Sequence, residues 1–453
     1  LFSNKYLYEL IPMICSRLFS SPISSSVCRR SLRRIGYCAD PTIGLSSEQI
    51  EIQRMAKDFA KKELYPEMDK WDKLGQLPMD ALRKAGELGF GAIYCDDAYG
   101  GAGLSRSDAA LVFEQLAAGC CSTAAYMAVH NMVPWMIDRF ANEELKQRYI
   151  PELASFTKLA SYCLTEPGSG SDSAALRTNA RREGDHYIVN GSKAFISGSG
   201  VSSVYLVMMR HKDAPPGPKG IFALIMTPDM PGKAIFQPLG FQLGKDENKL
   251  GWCTQPTRIL TFEDVKVPVT NQVGADDEGF TIAMEGLNGV VIALFHFLFG
   301  RVNIAACSLG AAQMSMDLAI EHTKVRQAFG KSISQFQWTQ FKLAEMATKL
   351  VTSRLLLREA CHHLQEDTPN ASAMSAMAKM YITDEAFTVV NQALQMFGGY
   401  GILKDYALQQ YLRDCRVHQI IEGTNEASFC FILCIMRLVV ARNLLTNEIF
   451  NTQ

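Results

Sequence analysis

The chain has 453 residues, 48% hydrophobic and 20% charged, a balance that suits a globular protein of about two to three domains. Lysine plus arginine (45) and aspartate plus glutamate (46) nearly cancel, so no net field favours nucleic acid or an anionic membrane. The thirteen cysteines include no CxxC pair and the eight histidines no HExxH, so no metal site is expected and the cysteines read as reduced, buried apolar residues.

Between Glu9 and Asp40 there is no acidic residue, while Arg17, Arg29, Arg30, Arg33 and Arg34 stand among seven serines. That is the composition of a mitochondrial transit peptide; a disordered basic tail is the blander alternative. Residues 1–42 are set apart on this ground, with Met13 a candidate start and 1–12 an over-extended reading frame.

Residues 43–160 read as a helical domain. Ser46-Ser47-Glu48-Gln49 has the capping-box spacing and opens a helix expected to turn Ile52, Met55 and Phe59 to one face. Tyr99-Gly100-Gly101-Ala102-Gly103 is GGxG without a preceding strand, hence a turn and not a Rossmann loop. Residues 161–274 form a small β domain. There HYIVNGSKAFIS, His186–Ser197, reads as a hairpin folded about Asn190-Gly191. Runs 201–210, 220–228 and 258–268 are further strands. From 275 to 453 helical periodicity returns, with Leu343, Met346, Leu350 and Leu357 on one stripe of a bundle core. The fold class is α+β: N-terminal helical domain, central β domain, C-terminal helical bundle. The elements do not alternate as a doubly wound sheet requires.

Four stretches carry chemical signals. YCLTEPGSGSD, 162–172, offers hydroxyls at Thr165, Ser169 and Ser171 beside glycines that let a ligand approach the backbone; a plain serine-rich loop fits as well. Arg326 ends a helix shortly before Phe336-Gln337, as a phosphate ligand or as a solvated cap. Gln395-Met396-Phe397-Gly398-Gly399-Tyr400-Gly401 ends a helix with more glycines than a C-cap needs. Glu422 follows apolar Ile420-Ile421 and precedes a Gly-Thr-Asn turn. Desolvation there would make it a base near neutral pH, and a helix-terminal surface acid is the alternative.

Taken together, these stretches resemble the acyl-CoA dehydrogenase family over about residues 44–445. CLTEPGSGSD at 163–172 fits its first signature, and QMFGGYGILKD at 395–405 fits its second, with Gln410 where the family is usually basic. GSKAFISGSG, AMAKM, NQALQM and RVHQIIEG point to members that act on short branched acyl groups. The resemblance implies a non-covalent FAD between the β domain and the C-terminal bundle. Tyr162, Cys163, Leu164, Thr165, Gly170, Ser171, Phe195, Ile196 and Ser197 would cover the isoalloxazine. Arg326, Phe336, Gln337, Gln395, Met396, Phe397, Gly398 and Gly399 would hold the pyrophosphate and adenosine half, partly across a subunit interface. Thr424, Asn425 and Glu426 would touch the same cofactor.

By the same resemblance, Glu422 is the base that takes the α-proton of an acyl thioester. The thioester oxygen would be held by the backbone N–H of Glu422 and a ribityl hydroxyl. Ser171, Asn288, Gly300, Arg301 and Arg442 would line the acyl-CoA site. The implied partners are the acyl-CoA substrate, electron-transfer flavoprotein and further copies in a homotetramer, in the mitochondrial matrix, with no membrane span. Isobutyryl-CoA, converted to methacrylyl-CoA in valine breakdown, is the expected substrate; short-chain or 2-methyl-branched acyl-CoA is the nearest alternative. A non-catalytic flavoprotein or assembly partner is the alternative of another class.

Two inserts break the family pattern. Residues 290–299, VVIALFHFLF, separate Gly289 from Gly300, and residues 427–434, ASFCFILC, follow Glu426. Deleting both restores the register of the flanks, and their composition is that of retained short introns. As real protein they would cap the acyl pocket, bind a partner or displace Glu422; neither reaches the about 20 apolar residues a bilayer span takes.

Overall fold

Ser46 opens the first helix with both halves of the predicted capping box: its Oγ accepts from the Gln49 N–H at 3.1 Å, and its own N–H donates to Gln49 Oε1 at 3.2 Å. The computed structural model describes residues 41–232, 241–276, 278–287 and 300–425. The first helix, α1 (Ser47–Phe59), buries Gln53, Ala56 and Phe59, with Ile52 packed at the margin. Met55 is turned outward, so the buried face lies one position away from the predicted one.

Helices α2 (Met68–Leu74), α3 (Met79–Glu87), α4 (Arg106–Gly119), α5 (Cys121–Phe140) and α6 (Glu143–Ala154) follow. The GGxG stretch is a turn, as expected, with Gly100 left-handed. After the sheet come α7 (Gly279–Leu287), α8 (Gly300–Val325), α9 (Gln337–Gln365), α10 (Ala371–Phe397) and α11 (Leu408–His418). The predicted stripe holds: Met346, Leu350 and Leu357 of α9 are buried and Leu343 packs beside them. The two helical blocks, far apart in sequence, share one core. Phe59, Phe113 and Leu116 from the first lie in the same cluster as Leu309, Leu350 and Val390 from the second.

The sheet runs β6 (Phe241–Leu243), β7 (Thr257–Pro268), β3 (His186–Ser197), β2 (Asn179–Glu183), β4 (Val204–His211), β5 (Ile221–Met226), β8 (Gln272–Val273), with β1 (Ala160–Cys163) parallel to β4. The predicted hairpin about Asn190-Gly191 is absent. β3 passes straight through that pair, and the turn falls at Gly184-Asp185 between β2 and β3. Asn190-Gly191 instead marks a bulge against β7. There the Asn190 amide closes the gap by donating to Asp264 Oδ1 and accepting from the Asp264 N–H, each at 3.0 Å. Glycine is needed at 191 because a Cβ would stand 2.6 Å from the Thr178 Cα.

All eight cysteines among the described residues are free, and every one but Cys253 is buried. None of the described helices is long and apolar enough to cross a membrane.

Candidate active site

α11 ends at His418, and the chain then curls on itself: the Asn425 N–H donates to the Gln419 carbonyl at 3.1 Å. Within this curl Glu422 (φ 55°) and Gly423 (φ 91°) both lie in the left-handed region. Glycine adopts it freely, whereas for glutamate it costs about 1–2 kcal/mol, so surrounding contacts must hold the turn.

The Glu422 carboxyl points into protein. Its Oε2 is sealed from solvent and has no hydrogen-bond partner among the described residues, although the residue as a whole is half-buried. Burial pushes the carboxyl up to about 7, against the pull of the Lys379 and Arg301 cations. Gly300, the first described residue of α8, abuts it. Arg301 is buried and donates Nε to the Glu422 carbonyl at 3.3 Å. On the remaining side Tyr162 donates its hydroxyl to the Ala283 carbonyl at 3.2 Å. Burial and the Glu422 charge hold that phenol protonated. A carboxylate poised near neutrality, with one oxygen unpartnered among the described residues, is equipped to remove a proton from carbon.

The loop after β1 forms a second cluster. Lys193 of β3, wholly buried, donates Nζ to Glu166 Oε1 at 2.8 Å and to the Leu164 carbonyl at 3.0 Å. Glu166 also accepts the backbone N–H groups of Arg177 and Thr178 at 2.7 and 2.9 Å. The Ala194 N–H donates to the Thr165 carbonyl at 2.8 Å, tying the loop to the strand that carries Phe195, Ile196 and Ser197. Cys163, Leu164 and Ile196 are buried beneath, while Gly170 and Ser171 are exposed. Phe195, at φ 57°, holds its ring 72% exposed.

A third cluster lies at the end of α10. Arg326, Gln395, Met396, Phe397, Gly398 and Gly399 line a cavity of about 470 Å³, with His322 stacked on Phe397 at 4.1 Å. Phe336 caps α9 under the Lys331 ammonium, 4.4 Å from its ring, and Gln337 is exposed on the first turn.

These clusters suit a flat, phosphate-bearing cofactor. A Cβ on Gly168, Gly170, Gly398 or Gly399 would meet nothing within 4 Å. At Gly398 the positive φ of 57° by itself calls for glycine, but at Gly168, Gly170 and Gly399 neither packing nor a positive φ accounts for it, and the backbone is open to a ligand. An exposed aromatic ring at Phe195 and an exposed guanidinium at Arg326 add a stacking surface and a fixed cation.

Asn425 turns its amide inward, to Thr383 Oγ1 at 2.7 Å and Asp384 Oδ1 at 2.8 Å. Thr424 is half-buried beside it. Asn288, Glu426, Arg442 and both inserts lie outside the described residues.

Sequence spacing gave no sign of Lys379, of the Lys193–Glu166 pair, or of three donors that the fold assembles, Cys121, Cys415 and His418. The ligand atoms of these three lie within 4.8 Å of one another. Burial keeps the thiol of Cys121 and the imidazole of His418 uncharged, and Ser308 hydrogen-bonds His418 Nδ1 at 2.7 Å. This group reads as packing behind the turn that carries Glu422.

Family models described as the N-terminal, middle and C-terminal domains of acyl-CoA dehydrogenase match residues 46–157, 161–265 and 277–445. Isobutyryl-CoA dehydrogenase, mitochondrial, of Bos taurus is 50% identical over 91% of this chain and 92% of its own length. The protein of the same description from Dictyostelium discoideum is 49% identical over 89% and 91%. Butyryl-CoA dehydrogenase from Megasphaera elsdenii superposes with a TM-score of 0.80 at 32% identity, over 89% of this chain and 99% of that one. Fold and matches together define the class, a flavin-dependent oxidoreductase acting on acyl thioesters. The chain belongs to the acyl-CoA dehydrogenase family, and its cofactor is FAD.

Proposed function

We propose that this chain dehydrogenates isobutyryl-CoA to methacrylyl-CoA, with Glu422 as the base. The observation that carries this is the Glu422 carboxyl: buried, unpaired at Oε2 among the described residues and pushed up to about 7. The substrate follows the two relatives of that description, each about half identical along nearly the whole chain.

FAD bound here would accept the β-hydride. It would be held by the 162–171 loop and Phe195, Ile196 and Ser197 at the ring, and by Arg326, Phe336, Gln337 and Gln395–Gly399 at the phosphates and adenosine. Of these, Gly398 and Gly399 leave their main chain open, and Arg326 supplies a phosphate partner. By the family resemblance Thr424 and Glu426 would touch the same cofactor, while Asn425, its amide turned inward to Thr383 and Asp384, would support the turn from behind. Ser171, Asn288, Gly300, Arg301 and Arg442 would line the acyl-CoA site.

The protein's own work is to hold one carboxylate against the α-carbon and exclude water. The oxygen of the thioester gathers negative charge as the α-proton leaves. By the family resemblance the main-chain N–H of Glu422 would be the donor that meets it, and such donors are typically worth about 3–4 kcal/mol.

The chain acts as a homotetramer in the mitochondrial matrix and passes electrons to electron-transfer flavoprotein. Phe329, Ile402, Phe341 and Leu355 are 96%, 74%, 62% and 61% exposed in the single chain, which supports their burial against further copies. The mitochondrial relatives and the arginine- and serine-rich segment 1–42 support the location.

Dye-coupled turnover against isobutyryl-, 2-methylbutyryl-, butyryl- and octanoyl-CoA tests the substrate, on protein made with and without 290–299 and 427–434. Preference for isobutyryl-CoA is expected. Preference for butyryl-CoA would move the assignment to the short-chain members, and preference for 2-methylbutyryl-CoA, one methylene larger than isobutyryl-CoA, to the 2-methyl-branched ones, a difference worth only about 1–3 kcal/mol.

A further inference from the structure

Lys379 of α10 is wholly buried, and its ammonium faces the catalytic turn from behind. Nζ donates to the Gly423 carbonyl at 2.6 Å, to Asn425 Oδ1 at 2.8 Å and, more weakly, to the Gln419 carbonyl at 3.5 Å. An ammonium has three donors, and all three acceptors sit within three positions of Glu422. The same face of α10 carries Thr383 and Asp384, which take the Asn425 amide. Asp384 also accepts Gln419 Nε2 at 2.8 Å. The turn is therefore gripped at both ends, at Gln419 and Asn425, and in its middle at Gly423.

We propose that Lys379 is a positioning residue for Glu422, its buried ammonium closing the left-handed turn that aims the carboxylate and supplying a fixed positive charge behind it. The inference rests on the reading of Glu422 as the base. Two features of the chemistry support it. A buried cation is costly without acceptors, so a chain that needed only packing here would be served by methionine, of similar length and without charge. A glutamate at positive φ relaxes unless neighbours over-determine it. Lys379 and Arg301 do so from opposite helices, on the Gly423 and Glu422 carbonyls respectively.

Among the described residues, the charged and titratable groups facing the carboxyl are Arg301 from α8, Lys379 from α10 and Tyr162 from β1. Of the two cations, Lys379 exerts the larger downward pull on Glu422. Removing it leaves burial opposed by Arg301 alone, so the base should ionise at higher pH as well as lose its aim.

The test uses the FAD-loaded enzyme as wild type, Lys379→Met, Lys379→Arg and Asn425→Ala, with kcat and KM measured across pH on the preferred acyl-CoA. In Lys379→Met, kcat is expected to fall about 100-fold with KM little changed, and its acid limb to move above the wild-type position. Asn425→Ala loosens the turn but keeps the cation, so kcat should fall while the limb stays. Lys379→Arg, which keeps the charge, should hold the limb in place and covers the case in which the methionine variant fails to retain flavin. A Lys379→Met enzyme with wild-type kcat, or with reduced kcat and an unmoved limb, overturns the proposal, as does a limb displaced in Lys379→Arg. A wild-type enzyme inactive on every acyl-CoA would instead count against the reading of Glu422.

Discussion

Gly300 and Glu422 are pressed together: a Cβ on Gly300 would stand 2.1 Å from Glu422 Oε2 and 2.5 Å from its Cδ. Residues 122 positions apart thus share one constraint. The Glu422 carboxyl can take its place only because the first described residue of α8 has no side chain. Gly300→Ala must displace the carboxylate, and a misplacement of about 1 Å can cost about 100-fold. We expect kcat to fall by about that factor with flavin absorbance retained, since no contact of the 162–171 loop is touched. Steady-state kinetics beside a flavin spectrum check it.

The Glu422 carboxyl also sets a pH dependence. Pushed up to about 7, it is protonated and useless as a base below that value and ionised above it. kcat should therefore rise with pH through about 7 and level off on the alkaline side. A pH profile flat from about 5 to 8 would contradict a base in this environment.

Asp414 makes a separate prediction about stability. Its Oδ1 accepts the Trp252 N–H at 2.7 Å, its Oδ2 has no hydrogen-bond partner among the described residues, and burial pushes its carboxyl up to about 7. A carboxyl raised on folding binds more protons folded than unfolded. Its contribution is intact below the unfolded value near 3.8 and is lost as pH rises through about 7. Asp414→Asn keeps the acceptor for Trp252 and removes the titration. Thermal unfolding across pH should show the variant gaining on wild type from acid to pH 8, by up to several kcal/mol, since each pKa unit is worth about 1.4 kcal/mol.

Breaking the Lys193–Glu166 pair should unseat the loop that carries Thr165 and Ser171. Both side chains are buried, and removing one partner of a buried pair typically costs about 3–5 kcal/mol. Lys193→Met is expected to lower the melting temperature and to shed FAD on gel filtration; the double variant Lys193→Met, Glu166→Gln should recover part of the loss. Unfolding curves and flavin content read both.

The sequence made the α–β–α order legible because periodicity is a local property: 3.6-residue stripes such as Met346, Leu350 and Leu357, and the short β-rich runs from 201 to 268. Capping at Ser46 was equally local. The Asn190-Gly191 reading failed because the dipeptide serves two geometries. Only the approach of Thr178 and the pairing with Asp264, both set by other strands, make it a bulge. Glu422 was visible through its motif. Lys379 and Lys193 acquire their roles only when α10 and β3 are brought against loops more than twenty residues away; Gly300 is assigned to the acyl-CoA site by motif, but its press against Glu422 needs α8 brought to that turn. The Cys121, Cys415 and His418 group was hidden for the same reason, its members standing on α5 and α11.

The measurement that bears most directly on the central claim is single-turnover reduction of the FAD-loaded enzyme by isobutyryl-CoA, wild type against Glu422→Gln. The wild type should bleach the flavin within one catalytic cycle. The variant should bind FAD to the same extent and bleach at least about 100-fold more slowly, the low end of what a positioned general base supplies. A Glu422→Gln enzyme that reduces its flavin at the wild-type rate would contradict the account.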